Sequence, residues 1–228
     1  MLHRDYFAHY FRWSHIAKLL SSERKECSIL DLGCGPGQLA DTLYRNRIAP
    51  KTYLGIDIRP KLIQNASERF KNAPWAQFKC IDLCSDSLNE GQDWDYIACF
   101  EVLEHIKKGP LSAKFIENIK KHMNPDTILL LSTPCYNKSD CADNHIIDGQ
   151  INEYEYTELR QILEKEFKLI NHYGTFASEK DILPHMSNSE QYIFNRFKEY
   201  YDSNLLSVIF APLYPYHSRN CIWELKLK

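Results

Sequence analysis

The sequence has little that would mark a membrane, secreted or strongly charged protein. No apolar run reaches the roughly 18 residues needed to span a bilayer, and residues 1–5 lack the layout of a secretory signal. The eight cysteines are scattered without a CxxC pair, which argues against a zinc cluster or a disulfide framework. The net charge of −2 gives no overall attraction to nucleic acid. We therefore expect a cytoplasmic protein with no membrane partner.

Repeats, low-complexity tracts and Gly/Ser linkers are also missing, so we expect a single domain over residues 1–228. Helical spacing of apolar residues over 3–22 predicts an N-terminal helical cap, taken as residues 1–24. Short apolar runs predict strands at 28–31, 53–57, 78–82, 96–100 and 127–132, the last ending before Pro134, and near 167–173. Helical spacing predicts helices at 38–45, 60–70, 111–123 and 155–166.

Apolar strands alternating with helices indicate an α/β fold with a doubly wound, mostly parallel sheet of seven strands and helices on both faces. The core would cover residues 25–174. The run 221–227 alternates apolar and polar residues, which predicts an antiparallel edge strand over 219–228. Residues 175–218 are interpreted as an insertion, or lid, over the ligand edge. Its aromatic side chains favour a core role, with stacking on an acceptor or a base as the alternative.

Glycine and acidic residues follow the predicted strands, where a parallel sheet binds its ligands. The glycine-rich loop 33–37 comes directly after the first strand, and glycine there lets backbone approach a ligand. Asp57 ends the second strand, twenty residues after Gly37, where a carboxylate can accept hydrogen bonds from both ribose hydroxyls. Asp82 ends the third strand and is well placed for an adenine amino group.

The loop chemistry argues against a phosphate ligand. Its spacing is GxGxG, and Gln38 stands where a dinucleotide motif would have its last glycine. Neither lysine nor arginine occurs between Lys25 and Arg45. A cationic sulfonium suits a loop flanked by the acidic Asp31 and Glu101 better than a phosphate does.

Four segments in order then resemble the motifs of the class I, Rossmann-like S-adenosylmethionine-dependent methyltransferases. They are residues 29–37 (ILDLGCGPG), 53–58 (YLGIDI), 78–83 (FKCIDL) and 95–105 (DYIACFEVLEH). The resemblance covers roughly residues 28–134 and implies S-adenosyl-L-methionine as cofactor, with S-adenosyl-L-homocysteine as product. Residues at the glycine loop and Glu101 would lie near the methionine moiety, Asp57 at the ribose, and Asp82 with Leu83 at the adenine. The implied cofactor-binding residues are Asp31, Gly33, Gly35, Gly37, Asp57, Ile58, Asp82, Leu83 and Glu101.

Methyl transfer from a sulfonium is an in-line displacement that needs alignment above all. A base is required where the acceptor loses a proton, and His105 is the nearest candidate, with Glu101 facing the reacting centre. The alternative for His105 is a plain histidine in the first turn after strand four.

Glu101, Glu104 and His105 form an E-x-x-E-H string that would share one helical face and could hold a divalent metal. The string resembles the metal-binding motif of small-RNA 2′-O-methyltransferases and of ubiquinone-pathway O-methyltransferases. His145 is the candidate for the further histidine of the former family. The same string occurs in relatives where no metal is implied, so no metal is assigned.

Three functions are compatible with these features. The first is methyl transfer to an O or N atom of a small-molecule acceptor, favoured by the near-neutral charge. The second is a metal-assisted methyltransferase acting on nucleic acid, of the RNA 2′-O type. The third is a non-catalytic module that binds the cofactor. Amino-methylating DNA enzymes commonly carry [DNS]-P-P-[YFW] after strand four, where this chain has Phe100-Glu101-Val102-Leu103, so that class is disfavoured.

Overall fold

The computed structural model describes residues 4–23, 26–85, 93–137, 152 and 154–228, and within the first range the side chains of residues 9–20. Cys141 and His145, the histidine considered as a metal ligand, lie outside the described residues. Within the described ranges, no helix is both long and apolar enough to cross a lipid bilayer.

Eight helices and eight strands are described. The helices are α1 (Arg4–Glu23), α2 (Gln38–Arg45), α3 (Pro60–Arg69), α4 (Pro110–Lys121), α5 (Tyr156–Glu166), α6 (Glu179–Ile182), α7 (Asn188–Phe197) and α8 (Ser203–Phe210). The strands are β1 (Ser28–Leu32), β2 (Thr52–Asp57), β3 (Ala76–Cys80), β4 (Tyr96–Phe100), β5 (Ile128–Tyr136), β6 (Tyr154–Glu155), β7 (Phe167–Phe176) and β8 (Asn220–Leu227). Most of the helix and strand positions agree with the predicted ones.

The strands form one sheet in the order β3-β2-β1-β4-β5-β8-β7, with the short β6 paired to β5. Strands β1 to β5 run parallel, and β8 is antiparallel to both of its neighbours. The predicted fold class is confirmed. The antiparallel strand lies one position inside the edge, between β5 and β7, rather than at the edge. Its first four residues are all buried, as pairing on both sides requires.

Both faces of the sheet are covered, so the central strands β1, β2, β4 and β5 are buried over most of their length. In β1 all five residues are buried and alternate between faces. Leu30 and Leu32 pack in the core beneath α4 and α5, whereas Ile29 packs in the core beneath α1 and α2. The same alternation turns Asp31 towards the α1 face, where a carboxylate lies amid an apolar layer.

The ends of β3 and β5 differ from the prediction. β3 ends at Cys80, which is the last residue in register with β2, so Asp82 lies beyond the strand and not at its end. β5 continues through Pro134, which pairs with Asn220 of β8. The carbonyl of Ser132 accepts a hydrogen bond from the Glu101 N–H on the β4 side. Backbone groups two residues apart point to the same side of a strand, so the backbone of Pro134 also points to the β4 side. β4 has already ended at this level, so the N–H that proline lacks removes no hydrogen bond between the two strands.

The predicted insertion, residues 175–218, begins inside β7, which ends at Phe176. The residues after β7 have a small core of their own and pack against α1 and β7. Phe194 and Phe210 are buried there, as the core interpretation of the aromatics predicts. Other aromatics of the insertion are exposed, and these are Tyr192, Phe197, Tyr200, Tyr201 and Tyr216. The core interpretation is therefore wrong for these five side chains, which helical spacing alone did not distinguish from the buried ones.

Candidate active site

The loops after β1, β2 and β4 meet at one edge of the sheet because the three strands are parallel and in register. Leu32 is level with Ile56 of β2 and with Cys99 of β4. The loop after β1 is tied to β2, since the N–H groups of Gly33 and Cys34 both donate to the Ile56 carbonyl, at 2.8 and 2.9 Å. From β1 the chain adds β2 and β3 on one side and then β4 and β5 on the other. Sheets of this kind bind ligands at the point where the direction changes, between β1 and β4.

Gly33 and Gly37 need the freedom of glycine for different reasons. Gly33 has a φ of 72°, and an added Cβ would overlap the side chain of Val102 in the loop after β4. Gly37 has a φ of 84° and forms the N-cap of α2, where an added Cβ would press on Phe70. Gly33 therefore lets two loops approach closely, while Gly37 turns the chain into the helix.

Two cavities open at this edge, with volumes of about 550 and 520 Å³. The first cavity lies between the loops after β2, β3 and β4, and its lining includes Asp57, Ile58, Asp82, Leu83, Cys84, His105 and Phe115. The second cavity lies between the glycine loop and α1, and its lining includes His9, Trp13, Asp31, Gly35, Gln38 and Phe100. Gly33, Arg59 and Glu101 line both cavities, so the two are adjacent parts of one site. Gly37 stands behind this site, at the helix cap.

Asp57 lies at the end of β2 with only 4% of its surface exposed. Oδ2 accepts from the Gly35 N–H at 3.0 Å, and Oδ1 accepts from the Arg59 N–H at 2.9 Å. The Arg59 guanidinium adds bonds from Nε to Oδ1 and from Nη2 to Oδ2. Burial alone would raise the pKa of Asp57, but the hydrogen bonds and charge of Arg59 outweigh burial and hold that pKa below its usual value.

Asp82 lies in the turn that follows β3. Its Oδ1 accepts from the Cys84 N–H at 2.8 Å, and its Oδ2 accepts from the Ser85 hydroxyl at 2.9 Å. A turn of this kind is typical of aspartate, whose side chain bonds to backbone two residues on. Although the predicted strand end is wrong, Asp82 and Leu83 still line the first cavity.

Asp31 is a buried carboxyl group on the wall of the second cavity, with 5% of its surface exposed. It accepts a hydrogen bond from the Tyr53 hydroxyl. Burial raises the pKa of Asp31 to about 7, against the lowering effect of that hydrogen bond and with a further increase from the charge of Asp57. Asp31 can therefore gain or lose a proton near neutral pH.

Glu101 follows β4 with a φ of 56°, which is rare for a residue with a side chain. Its carboxylate accepts a hydrogen bond from Ser132 Oγ at 2.7 Å and two from Asn220 Nδ2 at 2.9 and 3.0 Å. The guanidinium of Arg12 lies 3.8 Å away and is almost fully buried. Three side chains from β5, β8 and α1 thus hold the carboxylate of Glu101 between the cavities, and the strain lies in the backbone of this residue.

Glu104 and His105 do not share a helical face with Glu101, so that part of the prediction is wrong. The left-handed turn at Glu101 leads into a single 3-10 turn, Leu103–His105. Glu104 is buried and accepts from Thr133 Oγ1 at 2.8 Å. Burial and the charge of Glu101 raise the pKa of Glu104 to about 8. His105 lies on the wall of the first cavity with 52% of its side chain exposed.

A metal ion does not fit the E-x-x-E-H residues as they are arranged. The carboxylate of Glu101 is directed to Ser132 and Asn220, whereas Glu104 is directed to Thr133. Among the residues that the structure describes, no group of three His, Cys, Asp or Glu side chains gathers in a way that could hold a metal. No chemical step is therefore assigned to a metal.

Arg12 and Asn220 are not among the site residues that the sequence analysis predicts. Both reach Glu101 from distant elements, α1 and β8. The visible signal for Arg12 was a cation between the aromatic residues Phe11 and Trp13. The wall that α1 adds to the second cavity consists of His9 and Trp13, whose rings stack with centroids 5.5 Å apart. The lid role of the insertion stays a prediction.

Comparison with known proteins gives consistent matches. The family model described as a methyltransferase domain matches residues 3–172. The ubiquinone biosynthesis O-methyltransferase of Saccharomyces cerevisiae, a mitochondrial protein, is 33% identical over 112 residues, which are 49% of this chain and 35% of that protein. The small RNA 2′-O-methyltransferase of Arabidopsis thaliana is 30% identical over 121 residues, 50% of this chain and 13% of that protein. The chain thus spans well under two thirds of either relative.

Among solved structures, the N-methyltransferase NodS from Bradyrhizobium japonicum in complex with S-adenosyl-L-homocysteine has a TM-score of 0.62. The sequences are 17% identical, and the match covers 96% of this chain and 87% of that chain. Identity this low shows a shared fold and carries no information on the substrate.

Proposed function

Since the chain belongs to the methyltransferase-domain family, we propose that it transfers the methyl group of S-adenosylmethionine to an oxygen or nitrogen atom of a small-molecule acceptor. S-adenosylmethionine is the methyl donor of this family, and S-adenosyl-L-homocysteine is the product. The acceptor, its reacting atom and a cytoplasmic location are parts of the proposal. No disulfide joins the described cysteines, which suits a reducing compartment.

The observation that carries the proposal is the pair of adjacent cavities with Gly33, Arg59 and Glu101 on the walls of both. In our proposal the first cavity takes the adenosine. Asp57 and Ile58 receive the ribose, and Asp82 with Leu83 frames the adenine. Apolar side chains such as Phe115 suit the flat base.

The second cavity takes the methionine end in this proposal. Asp31 and Glu101 supply negative charge for the ammonium group and for the sulfonium, while Gly33 and Gly35 allow close approach of the backbone. Arg12 and Asn220 act on Glu101, which they orient. The sulfonium would then lie near the junction of the cavities, beside Glu101.

Transfer breaks the bond between the methyl carbon and sulfur as the acceptor atom forms a bond to the same carbon, and the electrons of the broken bond stay on sulfur. Alignment of the two atoms supplies much of the acceleration. A hydroxyl or amine acceptor also loses a proton, and we assign its removal to His105, whose exposed imidazole lines the first cavity.

A second candidate is methyl transfer to RNA, favoured by the E-x-x-E-H string and by the similarity to the plant small RNA enzyme. The geometry supports it less well, since the carboxylates of Glu101 and Glu104 accept hydrogen bonds from different side chains and the described residues contain no group of three that could hold a metal. The net charge of −2 also gives no overall attraction to a polyanion. The name of the yeast relative supports a small-molecule acceptor.

The test measures binding and turnover in sequence. Calorimetry first tests for uptake of S-adenosyl-L-homocysteine, with Asp57→Ala as the variant expected to bind poorly. Asp41→Ala is the matched control, because Asp41 forms its ion pairs with Arg45 and Arg69 on the surface of α2 and α3. Labelled methyl transfer is then measured to pools of phenols, amines and heteroaromatic compounds, and to short duplex RNA, with and without a chelator.

The outcomes separate the candidates. Chelator-insensitive transfer to a small molecule supports the proposal, and a fall in the rate constant in His105→Ala supports the base assignment. Chelator-sensitive transfer to RNA would favour the second candidate. Cofactor binding without turnover on any pool would leave a non-catalytic module, and absence of cofactor binding would overturn the assignment altogether.

A further inference from the structure

The carboxylate of Asp57 has all of its hydrogen-bonding positions filled. A carboxylate offers about four acceptor positions, two on each oxygen. In the described part of the chain Asp57 accepts four hydrogen bonds, and each oxygen accepts one from a backbone N–H, of Gly35 or of Arg59, and one from the Arg59 guanidinium. The two backbone N–H groups hold the carboxylate in place, and the guanidinium occupies the two remaining acceptor positions.

The two positions held by the guanidinium match the needs of a vicinal diol. The Nε and Nη2 donors lie 2.9 and 3.0 Å from different oxygens of the carboxylate, which is a bidentate arrangement. The 2′ and 3′ hydroxyls of a ribose would use the same two oxygens. Both sets of donors cannot bind together, because four acceptor positions cannot take six donors.

Arg59 can leave without disturbing the fold. Its side chain is 64% exposed, while that of Asp57 is 3% exposed. The N–H of Arg59 belongs to the cap of α3 and would stay on Oδ1 when the side chain moves. Moreover Arg59 lines both cavities, so a displaced guanidinium remains beside the site.

From this geometry we propose that Arg59 competes with the cofactor's ribose for Asp57 and that cofactor binding displaces its side chain. Resting on the proposed function, this assigns to Arg59 the role of a specificity-determining residue, since a ligand must offer a diol to replace the two lost bonds. A ligand that lacks either hydroxyl would not displace the guanidinium, which would stay hydrogen-bonded to Asp57.

Removing the side chain should therefore tighten the binding of a diol. Ion pairs with one exposed partner contribute modestly, so we expect the dissociation constant for 5′-methylthioadenosine to fall by about two- to fivefold in Arg59→Ala. This ligand has the ribose and adenine but no charge, so removal of a cation cannot attract it by itself. The difference between wild type and variant should shrink as salt rises from about 0.01 to 1 M, because salt screens the ion pair.

The experiment compares two ligands and three variants by calorimetry and ligand-observed NMR. 5′-Methylthioadenosine offers the diol, and 2′,3′-dideoxyadenosine does not. Arg59→Lys keeps the charge without the bidentate fork and should give an intermediate affinity. Arg45→Ala is the matched control, since it removes an exposed arginine from an ion pair with Asp41 on α2, and it should bind as wild type does. Thermal unfolding checks that each variant is folded.

Tighter binding of the diol in Arg59→Ala, with the dideoxy compound unaffected, would support the competition. Equal or weaker binding of the diol would overturn it, and so would an equal gain for both compounds. These results differ from failure of the proposed function, in which wild-type protein would take up neither S-adenosyl-L-homocysteine nor 5′-methylthioadenosine.

Discussion

Cofactor binding should release a proton from Asp31. Burial raises the pKa of this carboxyl group to about 7, so that about half of the molecules carry the proton at pH 7. The proposed position of the cofactor's ammonium group is the second cavity, which Asp31 lines. A cation there favours the ionised carboxylate, and the proton then leaves to the solvent.

The size of the pH effect on affinity follows from the pKa of Asp31 in the free protein and its pKa in the complex. An opposite charge within about 4–6 Å lowers a carboxyl pKa by about 1 to 3, and a fall of about 2 would bring the pKa of Asp31 to about 5 in the complex. Affinity should then rise with pH between about 5 and 7, by up to ~100-fold or ~2.7 kcal/mol. At pH 7 about 0.5 proton should be released for each ligand bound.

The assay is calorimetry with S-adenosyl-L-homocysteine in two buffers of different ionisation enthalpy, from which the number of released protons is obtained. 5′-Methylthioadenosine, which lacks the ammonium group, should release almost none. Asp31→Asn should abolish the release and flatten the pH dependence. Glu104→Gln tests the other buried carboxyl group, whose pKa is raised to about 8, and should retain the release seen at pH 7.

The reasoning would be refuted by proton release that is the same for both ligands, or by an unchanged pH dependence in Asp31→Asn. A stability measurement gives an independent check of the raised pKa. Between the unfolded value near 4 and the folded value near 7, the folded protein binds more protons at Asp31 than the unfolded chain does. The stabilising contribution of Asp31 to the free energy of unfolding is therefore fully present below pH 4 and is lost as pH rises to about 7. In Asp31→Asn the stability should no longer fall over this pH range for that reason.

Three further substitutions test the rest of the site. Asp57→Ala should weaken binding of S-adenosyl-L-homocysteine by about 1–3 kcal/mol through loss of charge-assisted hydrogen bonds, and an unchanged calorimetric affinity would contradict the ribose contact. Gly33→Ala should lower the melting temperature, since it adds strain of about 1–3 kcal/mol at positive φ and overlaps Val102; a wild-type melting curve would count against this packing. Asn220→Asp should reduce cofactor affinity more than Asn220→Ala, because a second carboxylate would then face Glu101, and the opposite order would remove Asn220 from the orienting role.

The cofactor side of the fold was predictable because its signals are local. Strands β1, β2 and β4 are buried on both faces, which makes each an apolar run, and each ends on an acidic residue or is followed by glycine or an acidic residue. The bounds of α2 agree with the prediction because the left-handed Gly37 marks its start. Pairing partners are not local. Nothing in residues 219–228 distinguishes a strand with one neighbour from a strand with two, so the position of β8 inside the edge could not be predicted.

The same distinction separates the site residues. Asp31 and Asp57 were predictable, since parallel strands bring their carboxyl ends to one edge. The partners of Glu101 come from α1, β5 and β8, and their convergence depends on packing over long distances in sequence. The prediction that Glu101 and His105 share one helical face is wrong because the positive φ at Glu101 changes the direction of the chain. A residue other than glycine gives no signal in the sequence that its φ will be positive.

The division between local and distant contributions also explains why the family is clear and the acceptor is not. The proposed adenosine side is built by loops that directly follow β2, β3 and β4, so short motifs carry it. The outer wall of the second cavity is the His9–Trp13 stack of α1, a helix held in place by packing against α2, β7 and the insertion. Changes on α1 or in the insertion can reshape that wall while Gly33 and Asp57 stay fixed by backbone hydrogen bonds within the sheet edge. A fold organised in this way keeps its cofactor when its acceptor changes, so similarity confined to the cofactor motifs identifies the donor but not the acceptor.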